Sequence, residues 1–222
     1  QTQQSLSIGK KFIQRRRIKM KLTFLQAKKP LAKEITKDGT KPYPLVKNFS
    51  STEEDVSIDK KGLDKMFRAL CTAAEQGACM HKGPLKRVLK DEPRAFMSDR
   101  TAPTELLVLD IDGLRATPGD DLQAMADRIV LQLPDIFHDC SYIVQASASL
   151  GIKKDTVSLH LFFLMDMPVH PKTLKDYLRS LNYECEFLAE QITLSANGQS
   201  LSCVLDPSVA DNSKLIYIAP PK

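Results

Sequence analysis

The segment Glu105-Leu-Leu-Val-Leu-Asp-Ile-Asp112 joins a run of apolar residues to two closely spaced carboxylates. The apolar run predicts a buried β-strand over Glu105–Ile111. Asp110 and Asp112 lie two positions apart, and because side chains alternate along a strand, both should point to one face. Two carboxylates this close repel each other, and a bound divalent cation removes that repulsion. Oxygen ligands of this kind suit Mg²⁺ or Mn²⁺.

The segments that follow this strand predict an α+β fold. We expect an amphipathic helix over Asp120–Leu133, capped by Asp120, and then strands at Ser141–Ser147 and Thr156–Leu164. A helix over Pro171–Ile192, broken near Asn182, and a last strand at Leu201–Asp206 should follow. With the first strand this gives β-α-β-β-α-β, the split-βαβ or ferredoxin-like order. In that order the first and third strands are central neighbours, and the fourth flanks the first. A turn at Asn197-Gly198 is an alternative that would make residues 190–195 a strand.

The regions outside this unit predict two further parts and a final strand. Apolar residues recur at helical spacing after Asp59, and Gly77 is a natural stop, which predicts a helix. Residues 36–59 are rich in Pro, Lys, Ser and Asp and predict a loop. We therefore expect a basic arm and loop over residues 1–58, an α/β module over 59–104, and a core over 105–222. The core ends in a predicted strand at Lys214–Ile218.

Charge is distributed unevenly over the 222 residues. The net charge of +5 divides into +10 for residues 1–33, +2 for 34–100 and −7 for 101–222. Such a basic head suggests a polyanionic partner. The five cysteines are scattered without a CxxC pair, which suits a reducing compartment and offers no zinc site. No apolar run reaches the roughly 20 residues that span a membrane, and no secretory signal is present. We expect a cytoplasmic protein without a membrane partner.

Polar residues on the later strands extend the pair of carboxylates into a larger cluster. Ser158 and His160 repeat the two-residue spacing on the third strand, and Asp206 ends the fourth. The split-βαβ order places these strands on either side of the first, so the five side chains should share one face. Two cations held by Asp110, Asp112 and Asp206 fit phosphoryl or nucleotidyl transfer. Ser158 and His160 would bind nucleotide phosphates.

The transferred phosphate is negatively charged, so cationic side chains should also lie at the site. Lys214, shortly after the third acid, and Lys82 are the best placed in sequence. Each is equally explained as a solvated lysine near a turn.

The DxD, SxH and hydrophobic-Asp motifs resemble the catalytic signature of the archaeo-eukaryotic primase superfamily. They stand here as Leu107–Asp112, Ser158–His160 and Leu205-Asp206. The resemblance implies an RRM-like catalytic core with an N-terminal α/β module packed against it. It also implies template-directed primer synthesis from (d)NTPs on single-stranded DNA, in a plasmid, phage or mobile element, with a fused or partner helicase. The chain departs from the family at Thr156 and Lys214, where basic residues or Arg are usual.

Other interpretations fit parts of the same pattern. The segment LDIDG also resembles the first motif of haloacid-dehalogenase-type phosphatases, with Asp110 as the nucleophile, although that family has Thr or Val where Leu114 stands. Each motif alone also has a structural explanation: acids capping a helix, a core histidine, or Asp206 starting a turn. A non-catalytic RRM-like module would carry exposed aromatic residues on its central strands, where this chain has carboxylates.

Overall fold

A computed structural model of the chain describes residues 19–115, 121–152 and 154–222. Most of the predicted basic arm therefore lies outside the described residues, as does the predicted helix cap Asp120. The helix that Asp120 was expected to begin is present, and Asp121 caps it by accepting a hydrogen bond from the Ala124 amide.

The described ranges contain both strands and helices. The first half contains β1 (Lys19–Gln26), β2 (Glu34–Thr36), β3 (Gly39–Lys41), β4 (Asn48–Ser57), α1 (Lys60–Glu75), β5 (Cys79–His81) and β6 (Glu92–Pro93). The second half contains β7 (Thr104–Arg115), α2 (Leu122–Val130), β8 (Tyr142–Ala146), β9 (Thr156–Val169), α3 (Pro171–Glu184), α4 (Glu186–Ala189), β10 (Thr193–Leu194), β11 (Leu201–Ser202) and β12 (Leu215–Tyr217). No helix in the described ranges is both long and apolar enough to cross a membrane.

The first sheet has the strand order β12-β5-β1-β4-β6 with antiparallel pairing. Helix α1 begins as predicted, with the Asp59 carboxylate accepting from the Gly62 amide, and buries Met66 and Leu70. The loop predicted over residues 36–59 is wrong for its second half, which forms the ten-residue strand β4. Its sequence NFSSTEEDVS is too polar to show an apolar face, and the strand forms because β1 pairs with it along eight residues.

The second sheet has the order β7-β9-β8, again antiparallel. Residues 204–206 run along the other side of β7, through a bridge between Ile111 and Leu205. The Asp206 amide donates to the Asp110 carbonyl at 2.9 Å, which continues this pairing. The fold is therefore a mixed α and β structure with antiparallel sheets, as predicted. Strand β12 departs from the expected core, because it pairs with β5 in the first sheet.

The strand predicted at residues 201–206 is divided between two partners. Its first two residues form β11 and pair with β10 in a hairpin whose turn includes Gly198 at φ +67°. This is the alternative turn expected from Asn197-Gly198. The remaining residues follow β7 and end in a 3₁₀ helix, Pro207–Ala210.

The core extends over both faces of β9. Val157, Leu159 and Leu161 are buried as predicted, and Phe162 and Phe163 are both buried as well. Ser158 and His160, which alternate with these residues, are also buried. Helix α3 ends at Glu184, and the break in the predicted helix falls at Cys185, three residues beyond the expected position.

Candidate active site

The two sheets meet around a cavity of about 510 Å³. Five residues predicted from the sequence line it: Asp110, Asp112, His160, Asp206 and Lys214. Strands β7 and β9 and the segment after β11 supply the acids and the histidine, whereas Lys214 immediately precedes β12 of the first sheet. Strand pairing therefore brings together residues that are up to about half the chain apart in sequence.

Asp110, His160 and Gln145 form a row across three neighbouring strands. The register pairs Asp110 with His160 and His160 with Gln145. The side chains follow this register, since His160 Nε2 lies 3.3 Å from Asp110 Oδ1 and His160 Nδ1 lies 2.8 Å from Gln145 Oε1. The histidine is 8% exposed at its side chain, so its two partners and the sheet fix the ring.

The hydrogen bonds of Gln145 determine which nitrogen of His160 carries a proton. Gln145 Nε2 donates to the Ile218 carbonyl at 3.1 Å, which turns the amide oxygen toward the histidine. An amide oxygen only accepts hydrogen bonds, so His160 Nδ1 is the donor. Nε2 is then the nitrogen that faces Asp110 and the cavity, where it can accept a proton or, once protonated, donate one.

Asp112 lies in a β-bulge that Ser158 stabilises. The register between β7 and β9 shifts between Ile111 and Leu114, so Asp112 and Gly113 together oppose Ser158. Gly113 adopts φ +77°, a conformation that residues with a Cβ rarely adopt. Its amide donates to Ser158 Oγ at 3.0 Å, and Ser158 Oγ donates to Asp112 Oδ1 at 2.6 Å. Ser158 is thus buried and orients Asp112.

Asp206 is held by a lysine and a serine. Lys214 Nζ lies 2.8 Å from Asp206 Oδ2, and Ser208 donates to the same oxygen at 2.7 Å. The Ser208 amide donates to Asp206 Oδ1 at 2.8 Å. Burial acts to raise the pKa of Asp206, but the hydrogen bonds from Lys214 and Ser208 outweigh it and lower the pKa. Asp206 is therefore an anion whose charge Lys214 balances.

Two predicted nucleotide-binding residues are not among those that line the cavity. Ser158 lies behind Asp112, as described. Lys82 is 3% exposed, and its ammonium donates to Thr104 Oγ1 at 3.0 Å. Burial lowers the pKa of Lys82 to about 8.

Several residues of the site were not found from the sequence. The sequence does contain a feature that could have identified Gly113, because a glycine after an acid inside a strand pattern indicates a bulge. No sequence feature identifies Gln145, since a polar residue near a strand end is common. Tyr43 and Tyr217 line the cavity and stack on each other, with ring centres 3.6 Å apart. They are distant in sequence, so only the fold could reveal their contact.

The spatial grouping of the acids in the cavity bears on whether they can hold a metal ion. Within the described ranges, no three Asp, Glu, His or Cys side chains form a group that could hold a metal ion. Asp110 and Asp112 share the cavity wall, whereas Asp206 is engaged by Lys214. Mg²⁺ usually binds one or two carboxylates together with substrate phosphates and water, so two carboxylates suit this ion chemically.

Comparisons with known proteins give a distant structural resemblance. No protein-family model matches the chain, and no curated protein sequence matches it. Among solved structures, it is similar to the polymerase domain of ligase D from Mycobacterium tuberculosis in complex with DNA, with a TM-score of 0.42 and 14% identity. The similarity covers 91% of this chain and 69% of that chain.

Proposed function

We propose that this chain is a nucleotidyltransferase of the primase and polymerase type, which joins nucleotides from (d)NTPs along a single-stranded DNA template. The observation that supports this proposal most is the shared cavity of Asp110, Asp112, His160, Asp206 and Lys214. Carboxylates for cations, with a histidine and a lysine for phosphate, suit nucleotidyl transfer. Their placement on paired strands also keeps the geometry rigid.

Mg²⁺ or Mn²⁺ would be held by Asp110 and Asp112 together with substrate phosphates and water. Asp206 would join them as the third acid only by leaving its ion pair with Lys214. Such cations activate an attacking hydroxyl and stabilise the leaving pyrophosphate. The protein contributes the orientation of these ligands, through Ser158 and Gly113 at Asp112 and through His160 at Asp110.

The roles proposed for the nucleotide-binding residues follow from their positions. His160 and Lys214 line the cavity. The Lys214 ammonium, and His160 once its Nε2 carries a proton, would contact phosphate oxygens. Ser158 would act on the nucleotide indirectly, because its hydroxyl is used by Asp112. The sequence predicts that Lys82 binds the nucleotide, and this remains a prediction. In the structure the buried ammonium of Lys82 contacts Thr104.

We also propose that the second sheet and its helices form an RRM-like core. With residues 204–206 counted as a strand, the sheet order is the one expected of a split-βαβ core, which supports an RRM-like fold. The N-terminal sheet would then be the module packed against it. Together with the three motifs, this order supports membership of the archaeo-eukaryotic primase superfamily. Such membership would imply a role in replication of a plasmid, phage or mobile element, and a helicase partner.

An incorporation assay tests this function. The chain is incubated with a single-stranded DNA template, with or without a primer, and with (d)NTPs and Mg²⁺ or Mn²⁺. Extended products should form. Asp110→Asn keeps the size of the side chain and removes its charge, so it should reduce incorporation at least about 1,000-fold. A matched control is Asp176→Asn, which changes an exposed acid on α3. No incorporation by the unsubstituted chain with either metal would contradict the proposal.

The phosphatase alternative makes a different prediction for the same residues. It requires a covalent aspartyl-phosphate on Asp110 and leaves His160 without a direct role. Trapping that adduct with a phosphate analogue, together with normal phosphatase activity in His160→Ala, would support the alternative. Loss of nucleotide transfer in His160→Ala without any adduct would support transfer.

A further inference from the structure

Residues 28–47, here named the basic hairpin segment, connect β1 to β4. They contain six lysines and two acids, a net charge of +4. Strands β2 and β3 pair within it, and all six of their residues are exposed. A two-stranded ribbon without a buried face is marginal in water, so core packing does not account for its presence.

The base of the basic hairpin segment adjoins the cavity. Lys33 and Tyr43, which immediately precede and closely follow the paired strands, both line it. Tyr43 stacks on Tyr217, and Lys33 Nζ lies 5.3 Å from the Tyr43 ring centre. Lys222 adds backbone hydrogen bonds to Lys33 and Ile35 of 2.9 and 2.8 Å. The ribbon is therefore fixed beside the proposed active site.

Three lysines of the segment are available to an external anion. Lys28 pairs with Asp91, and Lys41 pairs with Glu34. Lys29, Lys37 and Lys47 are exposed and form no ion pair with any residue that the structure describes.

We propose that the basic hairpin segment binds the phosphate backbone of a single-stranded nucleic acid and holds that strand at the mouth of the cavity. The identity of the strand as template or primer rests on the proposed function. The cavity itself carries three carboxylates, which repel a polyanion. Three-residue strands extend the ribbon by about 10 Å. Lys37 lies at the turn between the two strands, and this length is comparable with the Debye length of about 8 Å at physiological salt, so the charge of Lys37 still acts near the base of the ribbon.

Salt-dependent binding of a fluorescein-labelled oligothymidylate tests the proposal. Without nucleotides there is no turnover, so fluorescence anisotropy reports binding alone. The triple variant Lys29→Gln, Lys37→Gln, Lys47→Gln removes three phosphate contacts. Each contact contributes about 0.7 to the slope of log Kd against log salt for a single strand, so the slope should fall by about 2. Affinity at low salt should fall at least about tenfold.

The matched control changes the same charge elsewhere. Lys60→Gln, Lys61→Gln, Lys86→Gln substitutes three exposed lysines outside the cavity and the basic hairpin segment. Its slope should stay near that of the unsubstituted chain. Equal effects of the two triple variants would overturn the proposal, because net charge alone would then explain them. Thermal unfolding of both variants should be unchanged, since all six side chains are exposed.

Three further outcomes decide between this proposal and the alternatives. If the hairpin variant weakens binding of a Mg²⁺-dNTP rather than of the oligonucleotide, the segment serves the triphosphate and the proposal is wrong. If the unsubstituted chain binds oligonucleotide through the segment but incorporates no nucleotide, the proposed function fails and this proposal stands. If it incorporates nucleotides and the hairpin variant binds like the control, this proposal alone fails.

Discussion

His81 and His160 are both almost completely buried, with 1% and 6% of their surfaces exposed, and each ring uses both nitrogens. His81 Nδ1 donates to the Gly83 carbonyl at 2.7 Å, and Nε2 accepts from Ser98 at 2.8 Å. His160 has Gln145 on one side and the carboxylate of Asp110 on the other. The partners of His81 are neutral and enclosed, whereas His160 faces an acid and a cavity.

Lys82, which follows His81 in sequence, and Lys214, which lines the same cavity as His160, differ in the same way. Lys82 is buried against the hydroxyl of Thr104, and Lys214 is one-third exposed in an ion pair with Asp206. Burial alone therefore does not distinguish a functional polar residue from a structural one. The distinguishing features are a charged partner and access to the cavity. We expect the cluster of His81 and Lys82 to govern stability, and the cluster of His160 and Lys214 to govern activity.

Among the changes that compare the two histidines and their neighbours, removing His160 should have the largest effect. His160→Ala deletes the group that faces Asp110 and the proposed phosphate position, so nucleotide incorporation should fall about 10²–10³-fold. The corresponding variant His81→Ala should lower the free energy of unfolding and leave incorporation per folded molecule unchanged. Steady-state incorporation and urea unfolding of both variants measure the difference. If His81→Ala lost activity without losing stability, the comparison would be wrong.

The next effect is a dependence of stability on pH. Burial lowers the pKa of His81 to about 4 from its ordinary value of 6.5. Between these values the unfolded chain binds more protons than the folded one, so stability falls as pH drops from about 6.5 to 4. The difference between the two pKa values corresponds to a loss of roughly 3 kcal/mol in the free energy of unfolding, at about 1.4 kcal/mol per pKa unit.

Urea unfolding of the unsubstituted chain and of His81→Gln at pH 7 and pH 5 checks this prediction. The variant has no ring to protonate, so it should lose less stability between the two pH values. Parallel losses in both proteins would show that other groups carry the acid sensitivity.

A smaller effect, of opposite sign, is expected at Lys82. Its pKa is lowered to about 8 by burial, which means that the protonated form is unfavourable in the folded chain at pH 7. Lys82→Met removes this cost and the hydrogen bond to Thr104, so stability at pH 7 should increase by about 2 kcal/mol. The unfolded chain binds more protons between pH 8 and 10.5, so the unsubstituted protein should gain stability over that range and the advantage of Lys82→Met should diminish.

Chemical denaturation of Lys82→Met at pH 7 and pH 10 measures both parts of this prediction. Incorporation should change little, because the lysine is not among the residues that line the cavity. A large loss of incorporation with unchanged stability would instead restore the nucleotide-binding role predicted from the sequence.

The strands that carry the site could be predicted from the sequence because their apolar runs are local signals. The predicted strand at Thr156–Leu164 begins at the observed residue and continues five residues further, to Val169. The β-α-β-β-α-β order then predicted that Asp110 and His160 would be neighbours, which the register of β7 and β9 confirms. Their contact required no information beyond strand order and alternation.

The remaining features depend on contacts that no local pattern encodes. Strand β12 is apolar and short, and its sequence does not specify which of two sheets it joins. His81 is buried, and its position depends on Ser98 and on the pairing of β5 with β1 and β12. The pairing of Gln145 with His160 is equally non-local.

The smallest effects should come from removing one partner of each histidine ring. Gln145→Met deletes the acceptor of His160 Nδ1–H, and because the ring itself remains, incorporation should fall only about 5–10-fold, as expected for one hydrogen bond of about 1 kcal/mol. Gln145→Glu keeps an acceptor at the same place and should recover part of the rate. Ser98→Ala leaves His81 Nε2 buried without a donor, so it should cost about 1–3 kcal/mol of stability and no activity. Incorporation rates and unfolding free energies of the three variants form one experiment. If Ser98→Ala slowed incorporation as much as Gln145→Met did, the enclosed histidine would be coupled to the cavity and the two clusters would not be separate.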